Sequence, residues 1–206
     1  RSTQSRSSAA SDVYKRQVCV RPAPVVVCRP VRAGRKQRPG GFARKGYCSS
    51  LKRWFHGVRE HLGFTPGGYV AFVLQMAGNR HDVQRLHALM KASFRGHLVG
   101  DNAYWPKASK RPLLAAKGIT LTAPVAKSWH LSNTPEQQAL LEERWPVERR
   151  IGLFDTQFHA GRTLCRSGRH HEARRWTKVL SHNLSRHMNR KIHRPLESLT
   201  YVRCVA

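Results

Sequence analysis

Acid is what this chain has least of: 11 Asp and Glu stand against 38 Lys and Arg, a net charge of +27 over 206 residues. Such a surface repels itself and attracts phosphate backbones, so nucleic acid is the expected partner. Long apolar runs are missing too. No segment has transmembrane length, and none reads as the hydrophobic region of a signal peptide. No segment carries the clean Lys/Arg face of a helix that lies on a membrane, so no membrane partner is expected. The five cysteines, Cys19, Cys28, Cys48, Cys165 and Cys204, contain no Cys-x-x-Cys spacing. That argues against a zinc ribbon and a disulfide framework, and a reducing cytoplasm fits best.

A hydrophobic share of 40% in 206 residues is enough for one domain with a core, plus a basic extension. The chain opens on Arg, and Arg1 to Gln17 (RSTQSRSSAASDVYKRQ) is polar, Ser-rich and free of apolar period. It looks like translated sequencing-adapter read-through, so it is set apart from the fold and expected not to pack. The expected domain runs over 18–195, with 196–206 as a tail.

Val18 to Cys28 is rich in Val and Pro and reads as a strand around Val25-Val26-Val27. Arg29 to Lys45 reads as a basic loop, and no acid occurs from Arg29 through Arg59. Arg53 to Phe64 and Tyr69 to Met76 read as a hairpin about Thr65-Pro66-Gly67-Gly68. His81 to Ser93 carries Val83, Leu86, Leu89 and Met90 at helical spacing, and His97 to Gly100 is a short strand. Lys107 to Lys117 is a helix weakened by Pro112 and stopped by Gly118, and Ile119 to Val125 is a strand. Thr134-Pro135-Glu136-Gln137 is a capping box. It opens a helix striped with Leu140, Val147, Ile151, Phe154 and Phe158 and bent at Pro146. His171 to Lys191 is a basic helix with Trp176, Val179, Leu180, Leu184 and Met188 on its apolar side. Early strands followed by strands alternating with helices give a mixed α/β sheet.

Two of the scarce acids stand out. Asp101 ends the apolar run His97-Leu98-Val99-Gly100, at a strand end where open α/β sheets place their ligands. Glu148 follows Val147, at the edge of the apolar stripe of a basic helix. Each alone has a plain explanation: a loop Asp that caps the next turn, or an ion pair of Glu148 with Arg144. Together they suit phosphodiester chemistry, which two divalent ions about 4 Å apart can carry out. Mg²⁺ takes oxygen ligands, so Asp and Glu suit it where His and Cys do not. His170, His171, His182 and His187 lack a ligand spacing and are expected to be solvated or to touch phosphate.

Four stretches occur in a telling order: Lys52-Arg53-Trp54-Phe55-His56-Gly57, Gly78-Asn79-Arg80-His81-Asp82-Val83, Gly100-Asp101-Asn102-Ala103-Tyr104 and Arg144-Trp145-Pro146-Val147-Glu148-Arg149. From Gly46 to about Asn189 the chain thereby resembles bacterial insertion-sequence transposases of the DDE type. The resemblance implies an RNase H-like fold, a mixed sheet flanked by helices with a basic helical C-terminal part. It implies that Asp101 and Glu148 are the second and third metal-binding acids, holding Mg²⁺ (or Mn²⁺). Arg144 matches the arginine of the family's helical signature, and Arg149 beside Glu148 is expected with it on DNA. Leu141 and Asp155 stand where some relatives have Tyr and Lys.

The first acid is the departure. Relatives place an Asp in the first strand, in a stretch similar to Val20 to Arg29. Pro24 and Cys28-Arg29 fit that frame, and the Asp position falls near Arg21. Asp12 and Asp82 do not substitute for it. The expectation is a catalytic-domain fragment lacking most of its DNA-recognition region. Intact relatives would cleave and join double-stranded transposon-end DNA, whereas this chain is truncated or inactive. A cytoplasmic, nucleoid-associated protein fits, and a homodimer is compatible with it. The alternative is a non-catalytic basic nucleic-acid-binding protein.

Overall fold

The computed structural model describes residues 17–28, 42–48, 52–80, 94–105, 111–125, 132–142, 145–163, 165 and 167–198. Among them are the strands β1 (Gln17–Cys28), β2 (Arg44–Cys48), β3 (Arg53–Phe64), β4 (Val70–Ala77), β5 (Gly96–Val99) and β6 (Ile119–Thr122). The helices among them are α1 (Arg111–Ala116), α2 (Pro135–Glu142), α3 (Trp145–Phe158) and α4 (Gly168–Lys191). The sheet runs β2-β3-β1-β5-β6, with β4 also paired to β3. β5 is parallel to β1 and to β6, while β2 is antiparallel to β3. This is the mixed, helix-flanked sheet expected of an RNase H-like fold.

The helix expected over 81–93 lies outside the described residues, as do 1–16 and most of the basic loop. β2 takes Arg44 and Lys45 out of that loop, and β1 begins on Gln17, buried and paired with His97. The helix expected as one and bent at Pro146 is described as α2 and α3, with 143–144 between them outside the described residues and Pro146 in α3. Pro146 falls in the first turn of α3, where the amide donor it lacks has no helical acceptor.

The chain divides into two compact units, one of Arg1–Arg21, Leu62–Leu74 and His81–Glu148, the other of Pro22–His61, Gln75–Arg80 and Arg149–Ala206. In the first, Val18, Val20, Leu98, Tyr104, Leu114 and Ile119 form the core, with Phe72, Leu74, Phe94 and Leu121 packed on it. The β3–β4 turn closes where the Gly68 amide donates to the Thr65 carbonyl at 2.8 Å, with Gly68 at a φ of 79° that favours glycine. Asn133 caps the backbone after β6. Its carboxamide accepts from the Val125 amide and donates to the Ala123 carbonyl, each at 3.1 Å, much as a neighbouring strand would. The expected capping box forms: the Thr134 amide donates to Gln137 Oε1 at 3.1 Å and the Gln137 amide to Thr134 Oγ1 at 3.3 Å.

In the second unit, Val25, Val27, Phe55, Val58, Phe154, Cys165 and Val179 are buried. Here α4 departs from expectation, because its apolar side faces out. Trp176, Leu180, Leu184 and Met188 are exposed, while His171, Arg175, His182, Ser185, Arg186 and Asn189 are buried with Val179. Specific partners fix this orientation. His171 Nε2 meets Glu60 Oε1 at 3.1 Å, and Arg175 Nη1 donates to Gln75 Oε1 at 2.7 Å. His182 stands edge-on to Phe154, its ring centroid 5.3 Å away. Asn189 Nδ2 donates to the Pro195 and Ser198 carbonyls, so the start of the expected tail is tied to α4.

Candidate metal and DNA site

β1 and β5 run parallel with Gln17 level with His97, Val18 with Leu98 and Cys19 with Val99. The pairing ends at Cys19 and Val99, two residues before Arg21 and Asp101. Position 21, where the first acid is expected, holds an arginine.

The turn that presents Asp101 is tightly specified. The Gly100 amide donates to the Thr122 carbonyl at 2.9 Å, continuing the β6 ladder by one residue. The Asp101 carbonyl then accepts from the Tyr104 amide at 2.9 Å, and Asn102–Tyr104 form a 3-10 turn. A Cβ at position 100 would sit 2.9 Å from the Tyr104 Cβ and Cγ. Only glycine lets the wholly buried Tyr104 lie under this turn, which leaves Asp101 half-buried at the strand end. Four residues back, on β5, His97 Nε2 lies 2.8 Å from Thr122 Oγ1 of β6. Burial pushes the His97 pKa down, which favours its neutral imidazole.

Glu148 stands in the first turn of α3, where the helix dipole favours an acid. Val147 before it is buried, but Glu148 itself is exposed, further into solvent than the stripe edge predicts. Arg149 is exposed and pairs with Glu197 at 3.1 Å. Arg144 lies outside the described residues. Asp155 serves the fold, since its Oδ1 accepts from the Gly161 amide at 2.5 Å and closes the turn after α3.

Of the four histidines expected in solvent or on phosphate, His171 and His182 are core residues, His170 lies 2.9 Å from the N-cap Ser167 hydroxyl, and His187 is exposed. The basic stretch Arg29 to Arg59 was expected to hold DNA, but sequence reasoning missed the aromatic pair within it on the β2–β3 hairpin. Tyr47 and Trp54 are cross-strand partners, with ring centroids 5.3 Å apart, and Lys45 Nζ lies 4.8 Å over the Trp54 ring. Arg44, Lys45, Lys52 and Arg53 are exposed around them. The alternation of Lys45 and Tyr47 with Trp54 opposite is the available signal, hidden when Lys45 is assigned to the loop.

Among the described residues no group of three or more His, Cys, Asp or Glu could hold a metal ion. With arginine at position 21, the acids present do not make up a two-ion centre. No helix among the described residues is long and apolar enough to cross a membrane. No curated protein matches the chain. Residues 29–184 match the transposase DDE domain, a span that starts past β1, includes Asp101 and Glu148, and covers more than half the sequence; the chain belongs to that family.

Proposed function

We propose that this chain is a transposase catalytic domain that holds double-stranded DNA but, as written, does not cut it. The family's work is DNA transposition. Intact members would use Asp101, Glu148 and a first-strand Asp to hold Mg²⁺ (or Mn²⁺) and to cleave and join transposon ends. The domain spans 18–195, works in the cytoplasm on the nucleoid, and grips DNA through its basic stretches, with Arg144 and Arg149 flanking Glu148. The β2–β3 hairpin, with exposed cations around Trp54, supports that grip.

The observation that supports the loss of activity is the arginine at position 21, in the stretch where relatives place the first acid. A cation in place of that acid opposes a divalent ion and withholds a ligand from it. The test restores the acid. Arg21→Asp protein is expected to nick supercoiled plasmid in Mg²⁺ or Mn²⁺, the chain as written to leave it intact, and Arg21→Asp with Asp101→Ala to be inactive again. Should restored protein bind DNA without metal-dependent nicking, or nick undiminished after Asp101→Ala, the catalytic assignment fails and a non-catalytic DNA-binding protein remains.

A further inference from the structure

The β2–β3 hairpin is two-sided. Residues alternate faces along a strand, so Lys45 and Tyr47 share a side with Trp54, while Phe55 turns to the other side and is buried. Tyr47 and Trp54 are directly opposed, yet they stay 42% and 56% exposed. Their rings meet at 60°, so neither lies flat on the other. Lys45 Nζ stands 4.8 Å over the indole, a contact that is weak at an exposed site and easily exchanged for a phosphate.

A cross-strand aromatic pair steadies a hairpin whether or not anything binds it. What that role leaves unexplained is the company the pair keeps. Arg44, Lys45, Lys52 and Arg53 are exposed around it, and no acid within 29–59 answers their charge. Cations beside an open aromatic ring match the two parts of a nucleotide, its phosphate and its base. Inside a duplex the second match fails, because each base is covered by its neighbours and shows only its edges in the grooves. A base face is free where the strands are unpaired, at a frayed end, a nick or a melted stretch.

We propose that the Tyr47–Trp54 face of the hairpin is a seat for unpaired DNA, with one base stacked on Trp54 and the adjoining phosphates on Lys45, Lys52 and Arg53. The inference deepens the DNA-holding assignment and rests on it for the choice of DNA. Lys45 leaves the indole for a phosphate as the base takes its place over the ring. Tyr47 props the indole from the neighbouring strand and is a positioning residue. Every base has a face to stack, so discrimination among bases should be slight.

Fluorescence anisotropy with three labelled ligands tests this: an oligothymidine of about 12 nucleotides, the same strand made abasic throughout, and a blunt duplex of equal length. Trp54→Ala should lower affinity for the oligothymidine by about 5-fold or more, and affinity for the duplex far less. Trp54→Phe, which keeps a ring, should recover most of the loss. The abasic strand retains every phosphate and no base, so wild-type protein should bind it more weakly than the oligothymidine. Trp54→Ala should narrow that gap by the same factor. The gap is a ratio taken on one protein, so a partly unfolded variant does not distort it. Equal losses on strand and duplex, or a gap that Trp54→Ala leaves unchanged, overturn the proposal, and duplex binding that persists then leaves the DNA-holding reading standing. A chain that takes the oligothymidine through Trp54 and ignores the duplex supports the proposal and overturns the duplex reading alone.

Discussion

Glu60 and His171 meet at 3.1 Å with side chains only 4% and 3% exposed, an unusual place for one of so few acids. His171 also stacks on Phe42, ring centroids 5.4 Å apart, and its Nδ1 has no hydrogen-bond partner. Removing one member strands the other in an apolar setting, whereas removing both spares that penalty. Glu60→Leu alone should cost on the order of 3 kcal/mol. Glu60→Leu with His171→Phe, which keeps the stack on Phe42, should cost less than Glu60→Leu does. Urea unfolding of the two single variants and the pair measures this, and simple additivity would rule out the coupling. Residue by residue, the sequence was readable where the signal was local. Asp101 showed itself as an acid closing an apolar run, and Arg21 as a cation in the frame of Pro24 and Cys28. Glu60 gave no such sign, because its partner lies 111 residues away.

At the scale of elements, the same division between local and distant causes separates α2 from α4. The α2 start was legible because its capping box closes within four residues, Thr134 to Gln137. α2 buries none of its residues, so its stability depends on that box more than on packing. Thr134→Ala should weaken α2 by about 1 kcal/mol. The loss should appear as faster amide hydrogen exchange in the first turns of α2, with the global unfolding midpoint barely moved. A large drop in the midpoint would instead mean that α2 is integral to the core. The facing of α4 was not legible. Its period gives an apolar side and a polar side, and burial by hydrophobicity alone points the apolar side inward. The outcome was decided by polar partners on β3 and β4, Glu60 and Gln75, whose positions no periodicity in α4 encodes.

Across the whole molecule, the charge of +27 sets how the chain meets DNA. Each phosphate neutralised on duplex DNA releases counterions, so the slope of log K against log salt counts the contacts at about −0.9 apiece. The exposed cations of the β2–β3 hairpin form a candidate block of such contacts, since no acid within 29–59 offsets them. Replacing Lys45, Lys52 and Arg53 by Ala should weaken binding to unrelated duplexes by similar factors and reduce the slope by roughly 3. Fluorescence anisotropy over a salt series reads both quantities. These side chains are exposed and outside the core, so the unfolding midpoint should stay near that of wild type and separate lost contacts from lost fold. A slope unchanged by the triple substitution would take the hairpin out of the DNA interface. The phosphate contacts would then fall to cations elsewhere in the chain, among them the basic run from Arg162 to Arg194.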